Sequence, residues 1–487
     1  GTATEISVPV VSKAASSSSD FFDKAMADLT NVRYVIFGFG CGMSLVLGII
    51  FLIVIQLPGI LSALVWSMVF AIDAGLVAAG YWTKGVSLKW AASGVRTGNE
   101  AAALFYTHYA LFGLAGLWLI IILFLRKRIV LAISCVREAA KAISSMPVIT
   151  VFPVVQVLGL VAFSVVWGVY MAFLASSGEV VASCLCPETN ATFSVAAKES
   201  VDGMCDDGCI VHKDLVYSQN TKYAGFYLLF VWFWTSQFIV AFGQIVVALS
   251  ISLWYFNRNR SLVKNATFFK AFRLVSFYHL GTAAFGSLII AIVKTVRAIL
   301  TYIQKKASKS KLRVAVVILS VLKCLLWCVE KCLKFINKQA YIQTAIFGYS
   351  FCKASRIGFF LILRNALRIS AVSVVSQIVL FIGKVFITVA SAVAGYYYLE
   401  IHFGEDLNYL MVPTLLIAFV AYAVSEMFNE VFGMAISTIL QCFVADEEMF
   451  EDTGDRFAPG GLAGTIDSTQ QRYKKNKMKQ VGVENKS

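Results

Sequence analysis

The sequence predicts an all-α polytopic membrane protein, a bundle of seven or nine transmembrane helices of roughly 20 residues each. Apolar residues make up 59% of the 487-residue chain, and charged residues make up only 14%. An average soluble domain has about a quarter charged residues and under half apolar ones. This composition therefore excludes a cytosolic enzyme, a disordered chain and a small disulfide-rich fold.

The distribution of charge is a further observation in favour of this fold class. The chain carries 42 Lys and Arg against 28 Asp and Glu, a net charge of +14, and the basic residues cluster beside apolar runs. That arrangement is typical of the cytoplasmic loops of membrane proteins. We therefore expect no nucleic-acid partner.

Apolar runs of spanning length recur along the chain, separated by segments of varied length and polarity. They occupy 32–56, 60–82, 105–125, 147–175, 223–256, 376–399 and 409–443. Pro58 and Gly59 predict a tight turn after the first run. Residues 126–141 hold five basic residues and one acid, which indicates a cytoplasmic loop.

The polar segment 176–221 has the character of an extracytoplasmic loop. It contains seven acids and two basic residues, the glycosylation acceptor pattern at Asn190, and four cysteines. Closely spaced cysteines in an oxidising compartment form disulfides, so we expect two bridges here. Four cysteines allow three connectivities, and the sequence does not choose between them. The cysteines are Cys184, Cys186, Cys205 and Cys209.

The stretch 273–365 gives conflicting signals. Residues 274–293 are apolar, but 294–340 carry eleven basic residues and one acid, Glu330. A full crossing at 274–293 would place that basic segment outside, against the positive-inside rule. Apolar residues at helical spacing predict an amphipathic segment over 305–337, lying on the cytoplasmic leaflet with its basic side chains at anionic headgroups.

Several short motifs follow one another in a fixed order. They are 243–248 (GQIVVA), 254–256 (WYF), 278–289 (YHLGTAAFGSLI), 337–341 (NKQAY), 359–361 (FFL) and the pattern of Cys324, Trp327, Cys328, Glu330 and Lys331. In this order they resemble the choline transporter-like family. The resemblance covers the chain from about residue 30 to about residue 450.

The resemblance implies ten spanning helices, with both chain ends in the cytoplasm and a large outer loop after the first helix. This sequence lacks that first helix, so we expect nine spans, including 274–293 and about 340–363, and an external Gly1 end. The expected organisation is an extracellular or luminal linker over 1–31, a transporter bundle over 32–445 and a mobile cytoplasmic tail over 446–487.

The substrate that the resemblance implies is choline or a similar quaternary ammonium ion. Such an ion offers no N–H donor, so its sites use aromatic faces, worth roughly 0.5 to 2 kcal/mol per contact, with a carboxylate nearby. Intramembrane acids normally face a cavity or a partner. The candidate substrate-binding residues are Trp232, Trp234, Gln237, Gln244, Tyr278, Asp73, Tyr422 and Glu426.

Each candidate also has a plainer interpretation. Trp232 and Trp234 suit an interfacial aromatic belt. Glu426 suits a structural ion pair with Lys384 or Arg364, and such pairing would remove its part in cation binding. Cys324, Cys328 and Cys332 share a helix face but have no fourth ligand at suitable spacing. They indicate palmitoylation or packing, so we predict no metal, no cofactor and no catalytic residue.

Two functions from different classes remain open at this stage. The first is carrier transport of choline or a related organic cation through an aromatic and carboxylate-lined cavity. The second is a non-transporting structural subunit of a larger membrane assembly, in which a partner subunit or separate chain supplies the absent helix. For either function we expect membrane lipids as partners and a multi-pass protein of the plasma membrane, with an organelle membrane as the alternative.

Overall fold

The computed structural model describes residues 23–93, 98–185, 192–195, 210–309, 313–450, 456–460 and 462. The helices are α1 (23–31), α2 (Arg33–Gln56), α3 (Ile60–Ser93), α4 (Gly98–Ser145), α5 (Val148–Ser176), α6 (Gln219–Tyr255), α7 (Asn265–Ser308), α8 (Arg313–Phe347), α9 (Phe351–Arg364), α10 (Ala366–Phe403) and α11 (Met411–Met449). The strands are β1 (Glu179–Leu185), β2 (Thr192–Val195) and β3 (Ile210–Val216). The predicted all-α membrane fold class is confirmed, with one small sheet added between α5 and α6.

Seven helices of this described part of the chain are long and apolar enough to span a membrane, namely α2, α3, α5, α6, α7, α10 and α11. They coincide with six of the predicted runs, and α7 contains the apolar stretch 274–293. The remaining run, 105–125, lies within the 48-residue helix α4. The total of nine spans stays a prediction.

Helix α4 continues through residues 126–141, which the charge pattern had predicted to be a loop. Ala132, Cys135, Val136 and Ala139 are completely buried, at the spacing of one helix face. Because these residues pack inside the fold, helix α4 does not end at residue 125. The basic residues of 126–141 therefore lie on this helix rather than in a loop.

The segment 340–363, predicted to be a single span, is interrupted by a helix break at Gly348. Helix α8 ends at Phe347, and α9 begins at Phe351. Gly348 has a φ of 70°, and its N–H donates to the carbonyl of Thr344 at 2.8 Å. This left-handed cap closes the helix because only glycine adopts that backbone without strain.

The predicted amphipathic segment 305–337 also belongs to two helices. Its first residues end α7, and the rest lie in α8. Gln304 donates to Ser320 at 2.7 Å, and Asn337 donates to the carbonyl of Gly286 at 2.7 Å. These pairs run in opposite directions along the chain, so the two helices pack antiparallel over most of their length.

The chain divides into two compact units. The first comprises Gly1–Pro153, Val246–Arg273 and Phe360–Ser487, and the second comprises Val154–Ile245 and Leu274–Phe359. Helices α7 and α8 from residue 274 onward belong to the second unit.

Close contacts at small residues organise the first unit. Gly383 of α10 faces the ring of Phe51 of α2, where an added Cβ would lie 2.7 Å from the nearest ring carbon. The hydroxyls of Ser44 and Ser391 form a buried hydrogen bond of 3.0 Å between the same two helices. Small residues and interhelical hydrogen bonds hold membrane helices together because lipid is as apolar as their side chains.

The second unit includes a pair of helices, α5 and α6, joined by the loop 177–218. The indole of Trp167 in α5 donates to the carbonyl of Leu228 in α6 at 2.9 Å, and Gln156 donates to the carbonyl of Ile239 at 2.8 Å. Between these helices β1 pairs antiparallel with both β2 and β3. Strand β1 is therefore the central strand of the loop.

The N-terminal linker is shorter than the sequence predicted. Residues 1–22 lie outside the described part of the chain, but 23–31 form α1. Asp28 is 2% exposed, and its carboxylate accepts hydrogen bonds from the backbone N–H groups of Asn408 (3.1 Å) and Tyr409 (2.9 Å). These groups precede α11, where free N–H donors need an acceptor. The chain therefore belongs to the folded structure from residue 23 rather than from residue 32.

The C-terminal tail is docked at its beginning. The backbone N–H of Phe457 donates to both carboxylate oxygens of Asp446 at 3.1 Å. The ring of Phe457 lies 5.8 Å from that of Phe256, and Leu462 is completely buried. The predicted tail 446–487 therefore begins within α11, which ends at Met449, and packs against the fold again at residues 456–460 and 462.

Candidate functional site

The two candidate tryptophans of α6 take part in contacts between helices of the second unit. Trp232 lies 5.9 Å from the ring of Phe163 and 4.8 Å from that of Trp167. Trp234 donates its indole N–H to the carbonyl of Ala284 in α7 at 3.2 Å and remains 37% exposed. Both rings are thus fixed by neighbouring helices, and Trp234 keeps part of its surface free.

The other candidates of the second unit differ in exposure. Gln237 and Gln244 are half-buried on the face of α6 that carries Trp234. Tyr278 is 75% exposed and lies in a π-helical turn, Val275–His279. Such turns occur frequently at functional sites. The remaining candidates, Asp73, Tyr422 and Glu426, belong to the first unit.

Glu426 forms the ion pair that the sequence offered as its structural interpretation. The ammonium of Lys384 lies 2.9 Å from a carboxylate oxygen of Glu426, between α10 and α11. The same ammonium lies 5.0 Å from the ring centroid of Tyr422. The carboxylate of Glu426 and the ring of Tyr422 thus hold a cation, but that cation is the side chain of Lys384 and not a substrate. This geometry favours a structural pair over a substrate carboxylate.

Asp73 has a different environment. Its Oδ1 atom is buried and, within the described residues, has no hydrogen-bond partner. The carboxylate lies on the face of α3 that includes Val69 and Gly80, at helical spacing. A buried acceptor without a partner is costly, which makes Asp73 the strongest candidate for contact with a cation.

Two aromatic residues of α4 contact helix α3, one before and one after the position of Asp73. The indole of Trp118 donates to the carbonyl of Val69, one turn before Asp73, at 3.3 Å. The ring of Phe112 covers Gly80, two turns after Asp73, where an added Cβ would lie 2.8 Å from a ring carbon. Sequence reasoning missed Trp118 because nothing in the sequence shows which spans lie side by side.

Two of the motifs that carry the family resemblance meet in the second unit. Asn337 of α8 donates to the carbonyl of Gly286 in α7, and an added Cβ at Gly286 would lie 2.2 Å from the hydroxyl of Tyr341. Tyr341 is 2% exposed. These residues are therefore needed for close helix packing.

The cysteines fall into separate groups. The side chains of Cys184, Cys186, Cys205 and Cys209, and the acceptor Asn190, lie outside the described residues, although the backbone of Cys184 is part of β1. Cys324, Cys328 and Cys332 are exposed free thiols on α8. Burial, with a smaller contribution from Glu138, raises the pKa of the Cys135 thiol to about 12. Among the described residues there is no group of three or more His, Cys, Asp or Glu suited to a metal.

Comparison with known proteins establishes the family. The family described as plasma-membrane choline transporter matches residues 109–448. Choline transporter-like protein 2 of Dictyostelium discoideum is 33% identical over 455 residues, covering 90% of this chain and 67% of the relative. Choline transporter-like protein 1 of Caenorhabditis briggsae is 32% identical, covering 89% and 57%. Choline transporter-like protein 2 of Bos taurus is 30% identical, covering 69% and 50%.

These matches cover most of this chain and only part of its relatives. The chain spans between about half and two thirds of the length of these three curated relatives. The protein belongs to the choline transporter-like family, and it is a multi-pass membrane protein. The resemblance that the motifs indicated is confirmed.

Proposed function

We propose that this protein carries choline or a related quaternary ammonium ion across a membrane, most simply the plasma membrane. Family membership supports the transport role, since the matching family is described as choline transporters. The observation that carries the site is the buried carboxylate oxygen of Asp73, which has no hydrogen-bond partner in the part of the chain that the structure describes. A substrate with a fixed positive charge would supply the partner that this oxygen lacks.

Asp73 is the proposed carboxylate, and Trp118 is the proposed aromatic wall beside it. A quaternary ammonium ion cannot donate an N–H hydrogen bond, so its recognition depends on charge and on an aromatic face. Asp73 provides the charge, and Trp118 is anchored one turn away through its indole N–H. Glu426 has no such role in the proposal, because Lys384 already neutralises it.

The aromatic and amide residues of the second unit form the other part of the proposal. Trp234, Gln237 and Gln244 line one face of α6, Trp232 packs against Trp167 of α5, and Tyr278 lies on α7. Partly exposed aromatic rings and neutral amides suit the passage of an organic cation because they attract it without holding it by full charge. We propose that these five residues are a separate contact region for the substrate within the second unit.

Choline uptake by proteoliposomes containing the purified chain tests this proposal. Asp73→Asn keeps the shape of the side chain and removes its charge. At an effective dielectric constant near 20, a charge pair about 5 Å apart is worth roughly 3 kcal/mol. After desolvation losses we expect a net loss of about 1 to 2 kcal/mol, or about 5- to 30-fold weaker choline affinity.

Glu426→Gln is the matched control, since it neutralises the other candidate acid. We expect its choline affinity to stay within about twofold of wild type and its thermal stability to fall, because Lys384 would then lie in a membrane-spanning helix without its anion. Unchanged affinity in Asp73→Asn would contradict the site. A folded wild-type protein that neither binds nor transports choline would favour the structural-subunit alternative instead.

A further inference from the structure

Positive charge is concentrated at one level of the α7–α8 pair in the second unit. Glu330 of α8 is 4% exposed, and it is the only Asp or Glu from residue 215 to residue 399. Its carboxylate contacts Arg297 of α7 and Lys334 of α8, each at 2.9 Å. Lys294 lies one turn before Arg297 and is within electrostatic reach of Glu330, Lys334 and Arg297.

This cluster has more cations than its one carboxylate can neutralise. Lys294, Arg297 and Lys334 surround Glu330, which leaves a net charge of about +2. Lys294, Arg297 and Lys334 are all partly buried, so water screens their mutual repulsion less than it would at an open surface. A bound anion would relieve that repulsion.

The adjacent surface of α8 indicates where the anion comes from. From Val314 to Val329 the exposed side chains of α8 carry no charge, and most are large and apolar. The only charged residue within that stretch, Lys323, points inward and donates to Gln304 of α7 at 2.5 Å. The outward apolar side chains include Val314, Val317, Ile318, Val321, Leu325 and Val329.

This pattern is the reverse of that on a helix bathed in water, where charged residues point outward and apolar ones inward. It fits an outer face in contact with lipid acyl chains. A cationic cluster at the edge of such a face lies where phospholipid headgroups would meet it. Apolar contact and positive charge therefore point to the same partner.

We propose that Lys294, Arg297 and Lys334 bind the phosphate of an anionic phospholipid whose acyl chains lie along the apolar face of α8. This site is separate from the proposed choline site and does not depend on it. Glu330 holds two of the cations in position and also limits the strength of anion binding, because its own charge opposes that of the lipid.

Binding of fluorescent phosphatidylserine to the purified chain, embedded in phosphatidylcholine nanodiscs, tests this proposal. A basic residue near an anionic membrane surface is worth about 1 kcal/mol, or about fivefold in affinity. We expect Lys294→Gln to weaken binding about fivefold. Lys270→Gln removes an exposed lysine elsewhere on α7 and should leave the affinity unchanged.

Glu330→Gln should change the affinity in the opposite direction and strengthen phosphatidylserine binding several-fold. If the cluster had a purely structural role, both Lys294→Gln and Glu330→Gln would weaken phosphatidylserine binding. If Glu330→Gln does not fold, the comparison of Lys294→Gln with Lys270→Gln decides the question, because Arg297 and Lys334, rather than Lys294, make the direct ion pairs with the carboxylate.

The source of the phosphate is tested in a separate arm. Inorganic phosphate at millimolar concentration should neither displace the fluorescent lipid nor raise the melting temperature of the protein in phosphatidylcholine. Displacement by free phosphate would overturn the lipid assignment in favour of a soluble anion. Equal affinities of Lys294→Gln and Lys270→Gln would overturn the site itself.

Discussion

The docked start of the C-terminal tail makes Asp446 a test of how this fold is held together. Asp446 is completely buried near the end of α11. Its carboxylate accepts the N–H of Phe457 at 3.1 Å and the hydroxyl of Tyr255 at 3.2 Å. Arg260 donates to the carbonyls of Phe457 and Tyr255, so the tail and α6 meet at this carboxylate.

Asp446→Ala should destabilise the protein by about 2 to 6 kcal/mol. The substitution leaves two buried donors without an acceptor, and each unsatisfied group costs about 1 to 3 kcal/mol. For a chain of 487 residues the unfolding entropy is about 1 kcal/mol per kelvin, so the melting temperature should be roughly 2 to 6 °C lower. Thermal unfolding in detergent measures the change, and hydrogen exchange at residues 456–460 shows whether the tail is released.

Glu448→Ala is the matched control. Glu448 lies two residues further along and pairs with Arg364 at 3.3 Å, but the two side chains are 45% and 62% exposed. An exposed pair is worth about 0 to 1 kcal/mol, so we expect almost no change in melting temperature. Equal melting temperatures for the two variants, or unchanged exchange at 456–460 in Asp446→Ala, would refute the argument.

Three further predictions follow from single contacts. Lys384→Met should lower the melting temperature at least as much as Glu426→Gln, because it leaves the carboxylate of Glu426 without its cation. A double variant that is more stable than either single variant supports the pairing. Gly286→Ala should cost about 1 to 3 kcal/mol in thermal unfolding, whereas Gly281→Ala, with open space around it, should be neutral or slightly stabilising. The Cys135 thiol, with its pKa of about 12, should remain unmodified by maleimide at pH 8 in the folded protein and react after denaturation; rapid labelling of the native protein would contradict its burial.

Only some properties of the proposed site were visible in the sequence. An acid within a long apolar run was enough to select Asp73 and Glu426, since such residues are expensive in a membrane. The sequence also named Lys384 as a possible partner of Glu426. It could not decide between the two acids, because pairing depends on which helices are neighbours and on their relative height.

Composition and the length of the apolar runs determined the membrane class and most of the spanning helices by themselves. These properties are local: roughly 20 apolar residues bury their backbone polar groups in a helix wherever they lie. Helix breaks were less visible, because the cap at Gly348 interrupts a run that reads as continuous. The resemblance to the family likewise rested on motifs that the sequence displays directly.

The tertiary structure alone decided the contacts that depend on distant residues. It paired Lys384 with Glu426, left an oxygen of Asp73 without a hydrogen-bond partner among the described residues, and turned Lys323 inward on α8. Each outcome depends on the register between two helices that are far apart in sequence. Hydropathy and helical spacing assign a residue to a face of its own helix, but only packing determines what that face meets.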